Sequence, residues 1–158
     1  MKLVHALCLL ILSLVLTACA TTGGARVSEP DASIQQIQVD ANGRWNVTMR
    51  LQNYSSVEMR FDTIALTARF NDATSVPLNA KPGITIPAES ADVFNLQITP
   101  DAQAKLFIAD ALISGRSVPY TLGGQISAAP GKNGVRNYPL ESKHNQLSPV
   151  PGLTGTLR

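Results

Sequence analysis

The sequence predicts an antiparallel β-sandwich with one helix, and three observations carry that reading. Apolar and polar residues alternate with period two in short runs from Ile34 onward. Clusters of Gly, Pro, Asn and Asp separate those runs at the spacing of turns. Only one stretch, 100–114, changes to helical character, so strands do not alternate with helices and a parallel α/β sheet is excluded.

Ile34, Ile37 and Val39 mark a first strand whose alternation is imperfect. Asp40-Ala41-Asn42-Gly43 follows, and its Asn-Gly pair is a strong hairpin signal. Trp45, Val47, Met49 and Leu51 then alternate with Asn46, Thr48, Arg50 and Gln52, the pattern of a strand with one buried and one wet face. Asn53-Tyr54-Ser55-Ser56 interrupts the pattern. Val57, Met59 and Phe61 resume it, but Ile64, Leu66, Ala68 and Phe70 continue in the opposite parity. A parity change requires a bulge or bend near Asp62-Thr63.

Asn71 to Thr74 is a turn, and Val76-Pro77-Leu78 a short strand that Pro77 assigns to a sheet edge. Lys81-Pro82-Gly83 has Pro and Gly in type II order. Strands are expected at 84–87 and 90–98. Thr99-Pro100-Asp101 reads as a helix start, with Thr99 as the cap, and Gly115 as the stop. Strand character returns at 118–122, pauses at Gly123-Gly124 and runs through Ile126. After the turn 130–134, the run 135–140 is the last clear strand.

These elements divide the chain into four parts. Residues 1–18 form a leader, 19–32 a tether, 33–141 the sandwich, and 142–158 a Pro- and Gly-rich tail with a closing strand near 153–157. The leader has a charged start at Lys2, an apolar run over 3–15 and small residues before Cys19, which is the order of a secretion signal. The apolar run is shorter than the ~20 residues a spanning helix needs. An uncleaved anchor and a buried N-terminal helix are the competing readings. The tether segment 21–30 is small and polar, and about ten such residues reach roughly 16–19 Å as free coil.

Leu16-Thr17-Ala18-Cys19 resembles the bacterial lipobox. The resemblance implies that Cys19 is the lipidation site: its thiol takes a diacylglyceryl group, the chain is cut before it, and the new amine is acylated, commonly with palmitate. Two or more acyl chains make membrane anchoring stable, at ~0.8 kcal/mol per buried methylene. Ala20 stands where Asp tends to retain such proteins in the inner membrane. The expected location is therefore the outer membrane, facing the periplasm.

Composition excludes several functions. The chain has 158 residues, with 13 Lys and Arg against 11 Asp and Glu, and no basic cluster in the body, so no nucleic-acid partner is expected. The two cysteines are Cys8, in the leader, and Cys19, so the mature chain can form no internal disulfide and no Cys-based metal site. His144 is the sole mature histidine and sits in a polar stretch, read as a solvated loop residue. Asp92, Asp101 and Asp110 are the carboxylates to consider for a pocket; Asp101 is better explained by a helix N-terminus and Asp110 by a wet helix face. No calcium loop, phosphate loop or Gly-x-Ser-x-Gly elbow occurs. Gly123-Gly124 reads as a bulge or a close backbone contact. Asn46-Val47-Thr48 and Asn53-Tyr54-Ser55 match the glycosylation pattern by chance in such a chain. No catalytic residue, cofactor or metal is expected. Trp45 and Tyr120 belong to the core pattern, and Tyr54, in a polar turn, is the candidate exposed aromatic for binding.

Between Ser33 and Leu140 the chain resembles the late-embryogenesis-abundant type 2 family, also called the water-stress and hypersensitive-response (WHy) domain. The residues concerned are Leu51-Gln52-Asn53, Ile86-Pro87-Ala88-Glu89-Ser90, Val118-Pro119-Tyr120-Thr121-Leu122-Gly123-Gly124 and Tyr138-Pro139-Leu140. Tyr54 departs from the family, which usually has Pro there. The resemblance implies a fibronectin-III-like or immunoglobulin-like sandwich, a link to desiccation and other stress, and no catalytic centre. The function so implied is a non-enzymatic, membrane-anchored envelope protein that protects or binds client molecules. The alternative is a structural or assembly accessory that docks an envelope protein.

Overall fold

The computed structural model describes residues 24–71 and 74–158, apart from the side chain of Lys143. The leader and Cys19 lie outside the described residues, as do Asp72 and Ala73 of the expected turn. Among the described residues there are nine strands and one helix: β1 Asp31–Val39, β2 Trp45–Gln52, β3 Met59–Arg69, β4 Ser75–Ala80, β5 Ile84–Ile86, β6 Ala91–Ile98, α1 Ala102–Ser114, β7 Val118–Pro130, β8 Arg136–Leu147 and β9 Thr156–Leu157. They make two antiparallel sheets. One has the order β6-β2-β1-β9; the other has β4-β3-β7-β8, with β5 also paired to β3. The fold is a β-sandwich, as the alternations require.

Each irregularity in the alternation has a structural cause. The imperfect pattern in β1 reflects a register shift between Ile34 and Gln36. The parity change in β3 is a bulge against β7 between Phe61 and Thr63, which keeps Phe61 and Ile64 both on the buried side. Pro77 lies on β4, an edge strand, where its missing N–H costs no ladder bond. The core fills the space between the sheets with Trp45, Val47, Met49 and Leu51 from β2 and Phe61, Ile64, Leu66 and Ala68 from β3, all buried. Thr48 is half-buried and Arg50 exposed on the other face of β2.

At Gly124 the backbone of β7 lies against β3 with no room for a side chain. The φ of Gly124 is 143°, and a Cβ there would collide with the carbonyl oxygen of Ala65 on β3. The pause at Gly123-Gly124 is thus a close backbone contact inside one continuous strand. Tyr120 closes a different gap. Its hydroxyl accepts from Ile34 N–H (2.9 Å) and donates to Ile34 C=O (3.2 Å), so a side chain of the second sheet satisfies the backbone of β1 where β9 does not reach.

Three boundaries differ from expectation. The helix cap is Asp101, not Thr99: its side chain accepts from Ala104 N–H at 2.7 Å, and Gly115 ends the helix in the left-handed region at φ 64°. An ionised carboxylate is a stronger acceptor than a hydroxyl. The stretch beyond residue 141 is not a tail. β8 runs to Leu147, with a bulge in which His144 (φ 63°) sits where Tyr120 faces Asn145 and Leu122 faces Ser142. The chain then folds back, and the closing strand expected near 153–157 is β9, which pairs with β1 and buries Leu157 fully. The third difference lies at the other end. Residues 26–30 are not free coil: Arg26 N–H donates to Ser56 Oγ, Ser56 N–H to Arg26 C=O and Ser28 N–H to Ser55 Oγ, while Val27 packs on the core and Pro30 is buried. Short polar residues bind backbone donors as readily as they bind water, so composition alone does not distinguish a docked strap from a linker.

Candidate binding surfaces at the two ends of the sandwich

Strand directions sort the loops to two ends. At the end where the N-terminal segment docks lie the β2–β3 loop (53–58), the β5–β6 loop (87–90) and the β7–β8 turn (131–135). At the far end lie the β1–β2 turn (40–44), α1, and the 148–155 loop.

Asn53 organises the first end. It is fully buried, and its Nδ2 donates to Val57 O (2.8 Å), Pro87 O (2.9 Å) and Ile86 O (3.2 Å), while Oδ1 accepts from Ser55 N–H (2.9 Å). Two of the segments that carry the family resemblance, 51–53 and 86–90, therefore meet through this one amide. Ser55, also fully buried, passes the connection on: its carbonyl accepts from Glu89 N–H, and its hydroxyl bonds both the N–H and the C=O of Ser28. Glu89 holds φ 52°, and its carboxylate meets Arg26 at 2.8 Å. Both charged side chains are more than half exposed, so this ion pair adds at most about 1 kcal/mol. The backbone bonds and the packing of Val27 hold the strap. Tyr54 projects from this cluster and is 48% exposed; Val135, on the neighbouring turn, is 55% exposed. Gly131 N–H donates to Glu58 O at 2.8 Å and joins the two loops.

At the far end α1 buries Ala104, Ile108 and Ala111. All three belong to the hydrophobic core cluster. A second apolar stripe, Ala102, Leu106, Ala109 and Ile113, faces outward; Leu106 is 72% and Ile113 89% exposed. Their spacing, i, i+4, i+7 and i+11, places them in one line along the helix. Beside the helix C-terminus, Leu112, Ile113, Val150, Pro151 and Leu153 line a groove of about 580 Å³. Because α1 is apolar on both sides, its sequence pattern does not assign a buried face.

The other candidates do not converge. Asp92 is exposed on β6 and accepts from Val93 N–H; Asp101 caps α1; Asp110 pairs with Arg116 at 2.5 Å. His144 is exposed on the strand bulge, beside a cleft that Arg69, Phe70 and Tyr120 also line. Among the described residues no group of three or more His, Cys, Asp or Glu is placed to hold a metal ion. Trp45 is buried edge-on to Phe70 with ring centroids 5.9 Å apart, and Tyr120 and Tyr138 are buried. Burial pushes the Tyr120 hydroxyl above its ordinary pKa, against the opposing effect of the Ile34 backbone bond.

No family model and no curated protein matches the chain. Solved structures similar to it include a Northeast Structural Genomics Consortium target, at 10% identity and TM-score 0.48 over 80% of this chain and 91% of that one. A solution structure provisionally assigned as a late embryogenesis abundant (LEA) protein aligns at 13% identity and TM-score 0.48, over 95% of this chain and 90% of that one. A protein from Archaeoglobus fulgidus aligns at 11% identity and TM-score 0.41, over 75% of this chain and 96% of that one. At this distance the likeness carries no information on function.

Proposed function

We propose that this chain is a non-enzymatic, lipid-anchored envelope protein of the stress-protective type, and that its sandwich binds or shields client molecules. The observation that carries the binding part is the outward stripe of α1, Leu106 and Ile113, with Leu153 on the adjoining loop. Contiguous exposed apolar side chains at one end of a domain are costly in water and mark interaction surfaces. The anchor part rests on Leu16-Thr17-Ala18-Cys19, and the outer membrane facing the periplasm is the location it implies. The stress-protective part rests on the family resemblance, whose first two segments Asn53 ties together.

The stripe also supports the assembly-accessory reading, because its i, i+4, i+7 spacing suits a partner helix laid along α1. The two readings differ in selectivity. A drying-sensitive enzyme is dried with and without the domain, and its residual activity is measured on rehydration. The parent domain is expected to preserve activity, and Leu106→Ser with Ile113→Ser to abolish most of that effect. Equal protection by parent and double variant would remove the stripe from the mechanism. No protection by either, with one envelope protein retained in fixed stoichiometry, would replace protection with assembly.

A further inference from the structure

We propose that the end of the sandwich carrying Tyr54 rests on the bilayer that holds Cys19, with Tyr54 and Val135 in the headgroup layer; this rests on the anchor reading. Because residues 26–30 are docked on the 53–58 loop, only residues 20–25 separate Cys19 from the docked segment. Seven Cα-to-Cα steps extend to at most about 25 Å. The 11-residue β3, which runs from one end of the sandwich to the other, is itself roughly 36 Å long. The tether is thus shorter than the domain. It keeps the Tyr54 end at the membrane, and an upright domain cannot turn its helix end toward it. So short a tether also gives a high effective concentration of the surface, so a weak contact suffices.

The chemistry of this end fits a lipid interface better than a charged partner. Tyr54 joins an apolar ring to a polar tip, which suits the headgroup level. Val135 adds an exposed apolar side chain on the adjoining turn, and Pro87 and Ala88 are exposed on the third loop. On these loops and the first residues of the strands they join, Arg26, Lys132 and Arg136 face Glu29, Asp31, Glu58, Glu89 and Asp92. No positive field is left to draw the domain to anionic lipid. The contact is therefore expected on zwitterionic vesicles and should depend little on salt.

The lone thiol of the mature chain makes a direct test possible. Residues 19–158 retain every described element; Cys19 is coupled to a maleimide-headgroup lipid in phosphatidylcholine vesicles that carry a spin-labelled headgroup lipid as quencher. Tyr54→Trp should lose most of its added emission, and so should Val135→Trp, an independent reporter on the next loop. Ile113→Trp, on the far end, should keep its emission, and native Trp45 provides a buried reference. Equal quenching at 54 and 113, or none at 54 and 135, would overturn the orientation. Because the coupling is chemical, this result does not depend on native acylation. The anchor reading is tested separately by acyl-label incorporation in the native envelope, which Cys19→Ser should abolish.

Discussion

Asn53 is fully buried, yet its amide is almost entirely used: three carbonyls on one side and Ser55 N–H on the other. Asn53→Ala removes the partner of the buried Ile86 carbonyl and Ser55 N–H and is expected to cost ~1–3 kcal/mol in a urea melt. A cost near zero would mean that water replaces the amide and that the loop cluster is not organised by it. Tyr120 uses its hydroxyl in the same way on Ile34. Its folded pKa lies above the ordinary value of about 10, chiefly through burial. The neutral form is therefore favoured in the fold. This contribution is fully present below pH ~10 and lost as the pH rises further, because the unfolded chain releases its proton first. Tyr120→Phe should lower stability at neutral pH by ~1–3 kcal/mol and flatten the alkaline part of the profile. An unchanged alkaline profile would assign that dependence to another group.

Among the elements, β2 is the strand whose sequence says most. All four apolar positions, from Trp45 to Leu51, are buried, and Asn46 and Arg50 are exposed. Met49→Asp places an unpaired charge in the core and is expected to cost at least about 3 kcal/mol or prevent folding, while Arg50→Asp should be nearly neutral. Equal denaturation midpoints for the two would refute the facing. In α1, by contrast, apolar residues on both sides leave two possible buried faces. The buried face carries Ala104, Ile108 and Ala111, which leaves Leu106 and Ile113 outside. That choice depends on what the helix meets in the fold.

For the molecule as a whole, the first and last described segments, 26–30 and 148–158, are part of the fold. Ser148 and Arg158 exchange both backbone hydrogen bonds, and Leu157 is buried beside β1. Removing residues 148–158 should therefore cost about 3 kcal/mol or more, through lost burial and an unpaired stretch of β1. Thermal melts followed by circular dichroism check this against residues 24–158, which are expected to unfold in one cooperative step. A truncated chain that melts like the longer one would make the C-terminal segment dispensable. The same reasoning applies to residues 26–30: a soluble domain beginning at Ser28 would lack the Arg26 contacts with Ser56 and Glu89.

Local chemistry was enough to specify much of this protein. Period-two alternation identified the strands, the parity change at Asp62-Thr63 identified the β3 bulge, Pro77 an edge, and Gly115 the end of the helix, because each obeys a rule acting over a few residues. Tyr54 was legible as an exposed aromatic for the same reason: its neighbours are polar and it breaks the pattern. The tertiary structure alone decided where long-range partners compete with water. The strap at 26–30, the strand beyond Ser142, the pairing of β9 with β1 and the buried face of α1 all depend on groups far away in the chain. In those segments sequence sets only what each residue can bond to, and the rest of the fold determines what it meets.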